Sequence, residues 1–186
     1  ILSQLQLFFE FYRDRIIGIT GTKGKSTTTT LMHHILKESG LSAILAGNIG
    51  IPVFDILHEI TDETLFVIEL SCHQLEYMTV SPKCAVLLNI YEEHLDHYGT
   101  MDKYIAAKEN VYRNQKPGDI LFVNPEIKPS ADVCRASIKT VAVDGDGEPD
   151  VVLSLPEDKK DTEFRLSYKD RSCIVIENRI SLLGEH

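Results

Sequence analysis

Ile16-Ile17-Gly18-Ile19-Thr20-Gly21-Thr22-Lys23-Gly24-Lys25-Ser26-Thr27 is the stretch on which the fold turns. Residues 16–20 are apolar and mostly β-branched, which predicts a short buried strand. A glycine-bearing turn follows, and a helical pattern opens at Gly24 or Lys25 and runs to Ser39, where Gly40 supplies a stop. Glycines let main-chain N–H groups turn inward around phosphate oxygens, and the start of a helix adds partial positive charge. Gly21, Thr22, Lys23, Gly24, Lys25, Ser26 and Thr27 therefore form a candidate loop for ATP. Lys25 would reach the outer phosphates, and the Ser26 hydroxyl would ligate magnesium. The general spacing G-x-x-x-x-G-K-[ST] would put a glycine where Ile19 stands; Gly18 and Gly21 bracket that position instead. Thr27, Thr28, Thr29 and Thr30 are poor helix formers, which favours a functional use for their hydroxyls. A glycine-rich helix start without a ligand is the alternative.

Outward from this loop, apolar β-rich runs alternate with helical patterns. Strands are expected over 42–46, 65–70, 84–90 and 120–123. The runs at 65–70 and 84–90 are almost continuously apolar, as in parallel strands covered on both faces. Short helices are expected from Pro52 and over 130–137, and a longer one over 101–115. This order predicts an α/β fold with a doubly wound, mostly parallel sheet. From about Thr140 the pattern changes to short strands at 151–155, 163–168 and 173–176 separated by charged turns. They predict a small antiparallel β appendage on the sheet edge.

With 186 residues, 43% of them hydrophobic, the chain can bury one full core, so residues 1–186 are expected to form one domain. The net charge of −9 disfavours nucleic acid or an anionic membrane as the main partner, because both need a positive footprint. An acidic chain still binds ATP where local amides, a lysine and magnesium carry the phosphates. Cys72, Cys84, Cys134 and Cys173 show no C-x-x-C spacing, so buried reduced thiols are expected rather than disulfides or a zinc site. No apolar run approaches the ~20 residues of a membrane span, and no signal-peptide pattern is present. The chain starts at Ile1 and stops at His186, just after Leu182-Leu183-Gly184. It is expected to be a piece of a larger cytoplasmic protein acting as a monomer.

Three side chains beyond the loop carry candidate chemistry. Glu69 closes an apolar strand, and ligands of doubly wound sheets sit beyond the carboxyl ends of strands. A carboxylate there is placed to hold magnesium beside Ser26; a solvated strand-end acid is the alternative. His94, in Asn89-Ile90-Tyr91-Glu92-Glu93-His94-Leu95-Asp96-His97, follows another core strand and is flanked by acids, which makes it a better metal-ligand candidate than a lone histidine; a structural histidine is the equal alternative. Lys108 falls in the apolar stripe Met101, Tyr104, Ile105, Lys108, Val111 and Tyr112. Burying an ammonium lowers its pKa towards neutrality. A neutral amine can take up carbon dioxide to give an anionic, metal-ligating carbamate. A lysine whose head snorkels to water is the other possibility.

The stretch Gly18 to Thr28 resembles the ATP loop of the Mur ligases and the related folylpolyglutamate synthetases, with Lys23 where that family usually has Asn. Gly47-Asn48-Ile49-Gly50, Glu69-Leu70-Ser71-Cys72-His73-Gln74-Leu75-Glu76, Glu93-His94-Leu95-Asp96 and Ala106-Ala107-Lys108 resemble the D-glutamate-adding branch of the Mur family. The likeness runs from about Gly18 to Pro125. It implies the central ATP-binding domain of a ligase, with Lys25, Glu69, His94 and Lys108 catalytic. Ser26 and Glu69 would hold one magnesium, His94 and carbamylated Lys108 a second, and Asn48 and Ser71 would face the substrate. The family commonly has Ser-Phe where this chain has Cys72-His73. Leu183-Gly184-Glu185-His186 resembles the start of the family's stretch near the adenine.

The implied reaction joins D-glutamate to UDP-N-acetylmuramoyl-L-alanine through an acyl phosphate, in peptidoglycan synthesis. The domains that hold the uridine nucleotide and D-glutamate are outside 1–186, so this domain is expected to bind ATP without ligating. Another Mur or folylpolyglutamate ligase is the nearest rival. A non-catalytic ATP-binding module would have lost Lys25, Glu69 or His94, and all are present. A P-loop kinase would bring a lid and a dedicated substrate pocket.

Overall fold

The strand expected at the start of the phosphate loop forms as β1 (Ile16–Thr20), and the sheet is built around it. The computed structural model describes residues 3–49, 51–143, 149–154 and 163–176. After β1 come α2 (Lys25–Glu38), β2 (Ala43–Gly47), β3 (Leu65–Glu69), β4 (Cys84–Leu87), β5 (Ile120–Val123) and β6 (Ser137–Val143), preceded by α1 (Gln4–Tyr12). The strands lie in the order β2-β3-β1-β4-β5-β6, each pair parallel. The chain thus lays β2 and β3 on one side of β1 and everything later on the other. The loop leaving β1 sits at this reversal, where the crevice of an open α/β sheet opens.

Every residue of Phe66–Ile68 and Glu69 in β3 is buried, although successive side chains point to opposite faces. Both faces are therefore covered. Phe8 of α1 packs edge-on against Phe66, with ring centroids 5.0 Å apart. α2 packs across β1, β2 and β3. The antiparallel appendage is a meander of β7 (Val151–Ser154), β8 (Glu163–Tyr168) and β9 (Arg171–Ile176), joined to the main sheet by one more parallel pair, β6–β7. Leu155, expected in β7, lies outside the described residues, as do Gly50 and the Leu183-Gly184-Glu185-His186 segment.

Several local expectations change. The helix expected over 101–115 is α5 (Met101–Glu109) followed by turns. The Ser81 hydroxyl donates to the Asn110 carbonyl (2.8 Å) and accepts the Asn114 N–H (2.9 Å), diverting the groups that would continue the helix. No helix forms over 130–137: a turn closes on the Ser130 carbonyl, and Ser137 enters β6, where the open edge of β5 offers ladder bonds. The segment after Pro52 makes turns and one 3-10 turn, Leu57–Glu59. α1 was not anticipated. Cys72 and Cys134 are buried free thiols, but Cys84 is only partly buried and Cys173 is exposed. Among the described residues no helix is long and apolar enough to cross a membrane.

One ion pair locks the entry of β5 to the entry of β1. The Arg13 guanidinium, 15% exposed, donates to the Asp119 carboxylate, 5% exposed. Arg13 Nε also donates to the Ser81 carbonyl at 3.2 Å, and Asp119 accepts the Lys116 N–H at 2.7 Å. Removing one partner strands a buried charge. Asp119→Ala is expected to lower the unfolding free energy in urea by about 3 kcal/mol; a loss below about 1 kcal/mol, the level of an exposed pair, would refute this lock.

Candidate functional site

The loop is shaped by its neighbours before any ligand arrives. Thr20, the last residue of β1, donates its hydroxyl to the Leu70 carbonyl at 2.8 Å, tying the ends of β1 and β3 together. The Asn89 side chain then staples the loop. Its Oδ1 accepts the Thr22 and Lys23 N–H groups at 3.0 and 2.9 Å, and its Nδ2 donates to the Lys23 carbonyl at 3.1 Å. Those two amides are spent on the protein, so the amides left to a ligand are those of Gly24 and the first turn of α2, which have no carbonyl one turn earlier. Gly24 sits at φ 82°, the left-handed region that favours glycine. Ser26 is exposed and Thr27 half-buried on the first turn. The buried Thr29 hydroxyl bonds back to the Lys25 carbonyl at 2.7 Å, so its use is structural rather than ligand-directed.

Two ammonium groups converge on one carbonyl. Lys25 Nζ donates to the Gly21 carbonyl at 3.0 Å and to that of Thr22 at 2.8 Å. Lys108 Nζ reaches the same Gly21 carbonyl at 2.7 Å from α5. Lys108 is 1% exposed, so it is buried and does not snorkel. Burial brings its pKa down to about 8; the Lys25 charge pushes the same way, while Cys72 and Glu93 oppose it. Its Nζ also lies 4.8 Å from the centre of the Tyr104 ring. The Tyr104 hydroxyl, pushed up to about 12 chiefly by burial, meets the Thr22 hydroxyl at 3.0 Å. Thr22 Oγ1 in turn accepts the Tyr91 N–H at 2.9 Å. Loop, β4 exit and α5 are thereby one hydrogen-bonded unit.

Glu69 is 2% exposed at the end of β3. Its Oε1 accepts from the Asn48 amide at 2.8 Å, and its Oε2 is buried with no partner. Asn48 is brought there by Gly47, whose φ of 100° suits glycine; an added Cβ would lie 2.4 Å from the Glu69 carbonyl oxygen. Asn48, expected to face substrate, thus spends part of its amide orienting Glu69. Ser71 caps α3 (Cys72–Leu75): its hydroxyl accepts the Gln74 N–H at 3.2 Å, and the Gln74 side chain accepts the Ser71 N–H at 2.9 Å. Its hydroxyl is occupied by this capping box.

His94 has a left-handed backbone (φ 56°) ahead of α4 (Leu95–Tyr98). Its ring is 43% exposed, with Nε2 3.5 Å from Glu93 Oε2. The fold therefore gathers Lys25, Lys108 and the loop at one point and brings His94 to the Tyr104 ring, 6.2 Å centre to centre. No hydrogen bond joins Ser26, Glu69 and His94 among the described residues, and no three His, Cys, Asp or Glu side chains there already form a metal cage. Thr22, expected in the loop, organises the site together with Asn89 and Tyr104, which were not expected there; only the position of Asn89 directly after a core strand could have marked it.

An unpartnered buried carboxylate oxygen is costly unless a cation meets it. In metal-free solution Glu69→Gln is therefore expected to raise the unfolding free energy by about 1 kcal/mol, by removing the buried charge. Urea titration reads this out, and a fall in stability would refute the cost assigned to the unpartnered oxygen.

A family model described as the Mur ligase middle domain matches residues 19–186. The UDP-N-acetylmuramoylalanine–D-glutamate ligase of Clostridium kluyveri is 43% identical over 126 residues, covering 68% of this chain and 28% of that protein. The ligase of the same name from Acetivibrio thermocellus is 38% identical over 172 residues, covering 88% of this chain and 37% of that protein. A crystal structure of MurF from Acinetobacter baumannii superposes with a TM-score of 0.68 at 26% identity, over 92% of this chain and 40% of that one. The chain thus spans only about a third of the curated relatives it matches. With most of its length covered by the family model, and a parallel sheet carrying the loop of Gly21 to Thr27 at its switch point, the chain belongs to the Mur ligase middle-domain family.

Proposed function

We propose that this domain binds ATP at the Gly24–Thr27 amides and Lys25, and that the longer ligase it belongs to phosphorylates the carboxylate of UDP-N-acetylmuramoyl-L-alanine and joins it to D-glutamate. The observation that carries this is the convergence of Lys25 and buried Lys108 on the Gly21 carbonyl, at 3.0 and 2.7 Å. Lys25 donates to two neutral carbonyls, so an anionic phosphate is a better partner than those it has. The names of the relatives support D-glutamate as the incoming amine. The presence of Lys25, Glu69, His94 and Lys108 together argues against a non-catalytic module. A cytoplasmic, monomeric enzyme is part of the same proposal.

Lys108 enters this chemistry as a carbamate. With its pKa near 8, an appreciable share of the amine is neutral at cellular pH. Its lone pair forms an N–C bond to carbon dioxide, and one proton leaves to solvent. The product keeps one N–H, which can stay on the Gly21 carbonyl, and the neutral amine has become an anion. The orphaned Glu69 Oε2 fits a cation beside Ser26, and the carbamate with His94 fits a second. Magnesium bound there supplies charge neutralisation for the phosphates and the substrate carboxylate. The protein's own part is positional: Lys25 and the helix amides fix the γ-phosphate in line with the attacking carboxylate oxygen. The new O–P bond forms as the bond to ADP breaks; the amine of D-glutamate then displaces phosphate from the acyl carbon.

Calorimetry with Mg-ATP tests the loop: Lys25→Ala is expected to weaken binding at least about tenfold, the scale of one charge-assisted contact, and unchanged affinity would refute it. Carbon-13 NMR with labelled bicarbonate tests the carbamate. A carbamate resonance is expected that disappears in Lys108→Ala, and its absence from the unaltered protein would rule the modification out. Amide formation by residues 1–186 alone would overturn the division of labour between domains.

A further inference from the structure

His94 stands in an unfavourable backbone region and projects a half-exposed ring, yet a metal ligand must be held still. Its ring is held by a closed collar of aromatic side chains. His73 from α3 stands edge-on to it, 5.1 Å away at 88°. His97 from α4 lies against the other side of His73, 4.7 Å away at 36°. Tyr98 meets His97 at 4.6 Å and 84°, and Tyr104 at 5.6 Å and 60°. Tyr104 returns to His94 at 6.2 Å and 53°.

The collar is pinned at two points. His97 Nε2 lies 3.1 Å from Glu76 Oε2, and His73 Nδ1 lies 3.3 Å from Cys72 Sγ. It also reaches the other ligand of the same position, since Lys108 sits over the Tyr104 ring.

We propose that His73 is a positioning residue for the second magnesium, acting on His94 through the packing of its ring rather than through its nitrogens; this rests on the magnesium site proposed above. Two features carry it. His73 is exposed and makes no polar contact towards His94, so the contact between them is face and edge alone. Edge-to-face pairs of this separation add specific attraction to simple burial. Losing one such ring pair is expected to weaken a metal held by His94 by up to about tenfold.

The test uses Mn2+ as a spin probe on the chain in the presence of ATP, with electron paramagnetic resonance counting and titrating bound ions. His73→Ala is expected to weaken the second Mn2+ about tenfold, leaving the first ion and ATP affinity within about twofold. His73→Phe should restore it. Circular dichroism and the thermal midpoint check that each variant folds; His73 is exposed, so little change is expected. If His73→Ala binds both ions as the unaltered chain does, while His94→Ala loses one, the positioning role is wrong and the metal site stands. If His73→Phe behaves like His73→Ala, a nitrogen of His73 matters and ring packing is refuted. If His94→Ala also keeps both ions, the proposed second site itself fails.

Discussion

The carbonyl of Gly21 is the point from which the rest of the site is organised. It accepts Lys25 from the helix that follows it and Lys108 from a helix far along the chain. Two ammonium groups sharing one neutral acceptor repel each other, and burial removes the water that would screen them. The arrangement persists because the loop is held on every other side: by the Thr20 hydroxyl on Leu70, by Asn89, and by the Thr22–Tyr104 contact. It leaves an excess of positive charge waiting for an anion. It also keeps one amine close to neutrality.

The same logic of deliberate incompleteness applies across the crevice. Glu69 is buried with one oxygen partnered and the other without, and Gly47 and Asn48 are shaped to hold it that way. Taken alone, a buried unpartnered carboxylate and a buried ammonium would be defects. Glu69 ends β3 beside β1, and Lys108 bonds the loop that leaves β1, so both suit the magnesium nucleotide proposed above. Stability lost at these positions is recovered in the core of Phe8, Phe66 and their neighbours and in the Arg13–Asp119 lock.

Much of this was legible along the chain. The strand–turn–helix of 16–39, the apolar runs of β3 and β4, and the placement of Lys108 within an apolar stripe follow from local composition and period. Strong periodicity survives folding because burial of one stripe is what stabilises the element. Where the signal was weak, other forces won. Residues 130–137 contain adequate helix formers, but the open edge of β5 offered a ladder, and Ser137 took it. Residues 110–115 continue a helical pattern, yet one hydroxyl, Ser81, diverts the bonds that would extend it. Neither competitor is adjacent in sequence.

The sequence by itself determined which chemistry is present: a phosphate loop, a strand-end glutamate, a histidine after a strand and a lysine where an apolar residue belongs. Those are properties of residue type and spacing. Only the tertiary structure decided how they share work. Asn89 takes two loop amides, Asn48 turns to Glu69, Ser71 serves a helix cap, and His73 joins a ring of aromatics around His94. Each depends on side chains from different elements meeting within a few ångströms, and such distances are set by sheet order and packing, which no local stretch of sequence encodes.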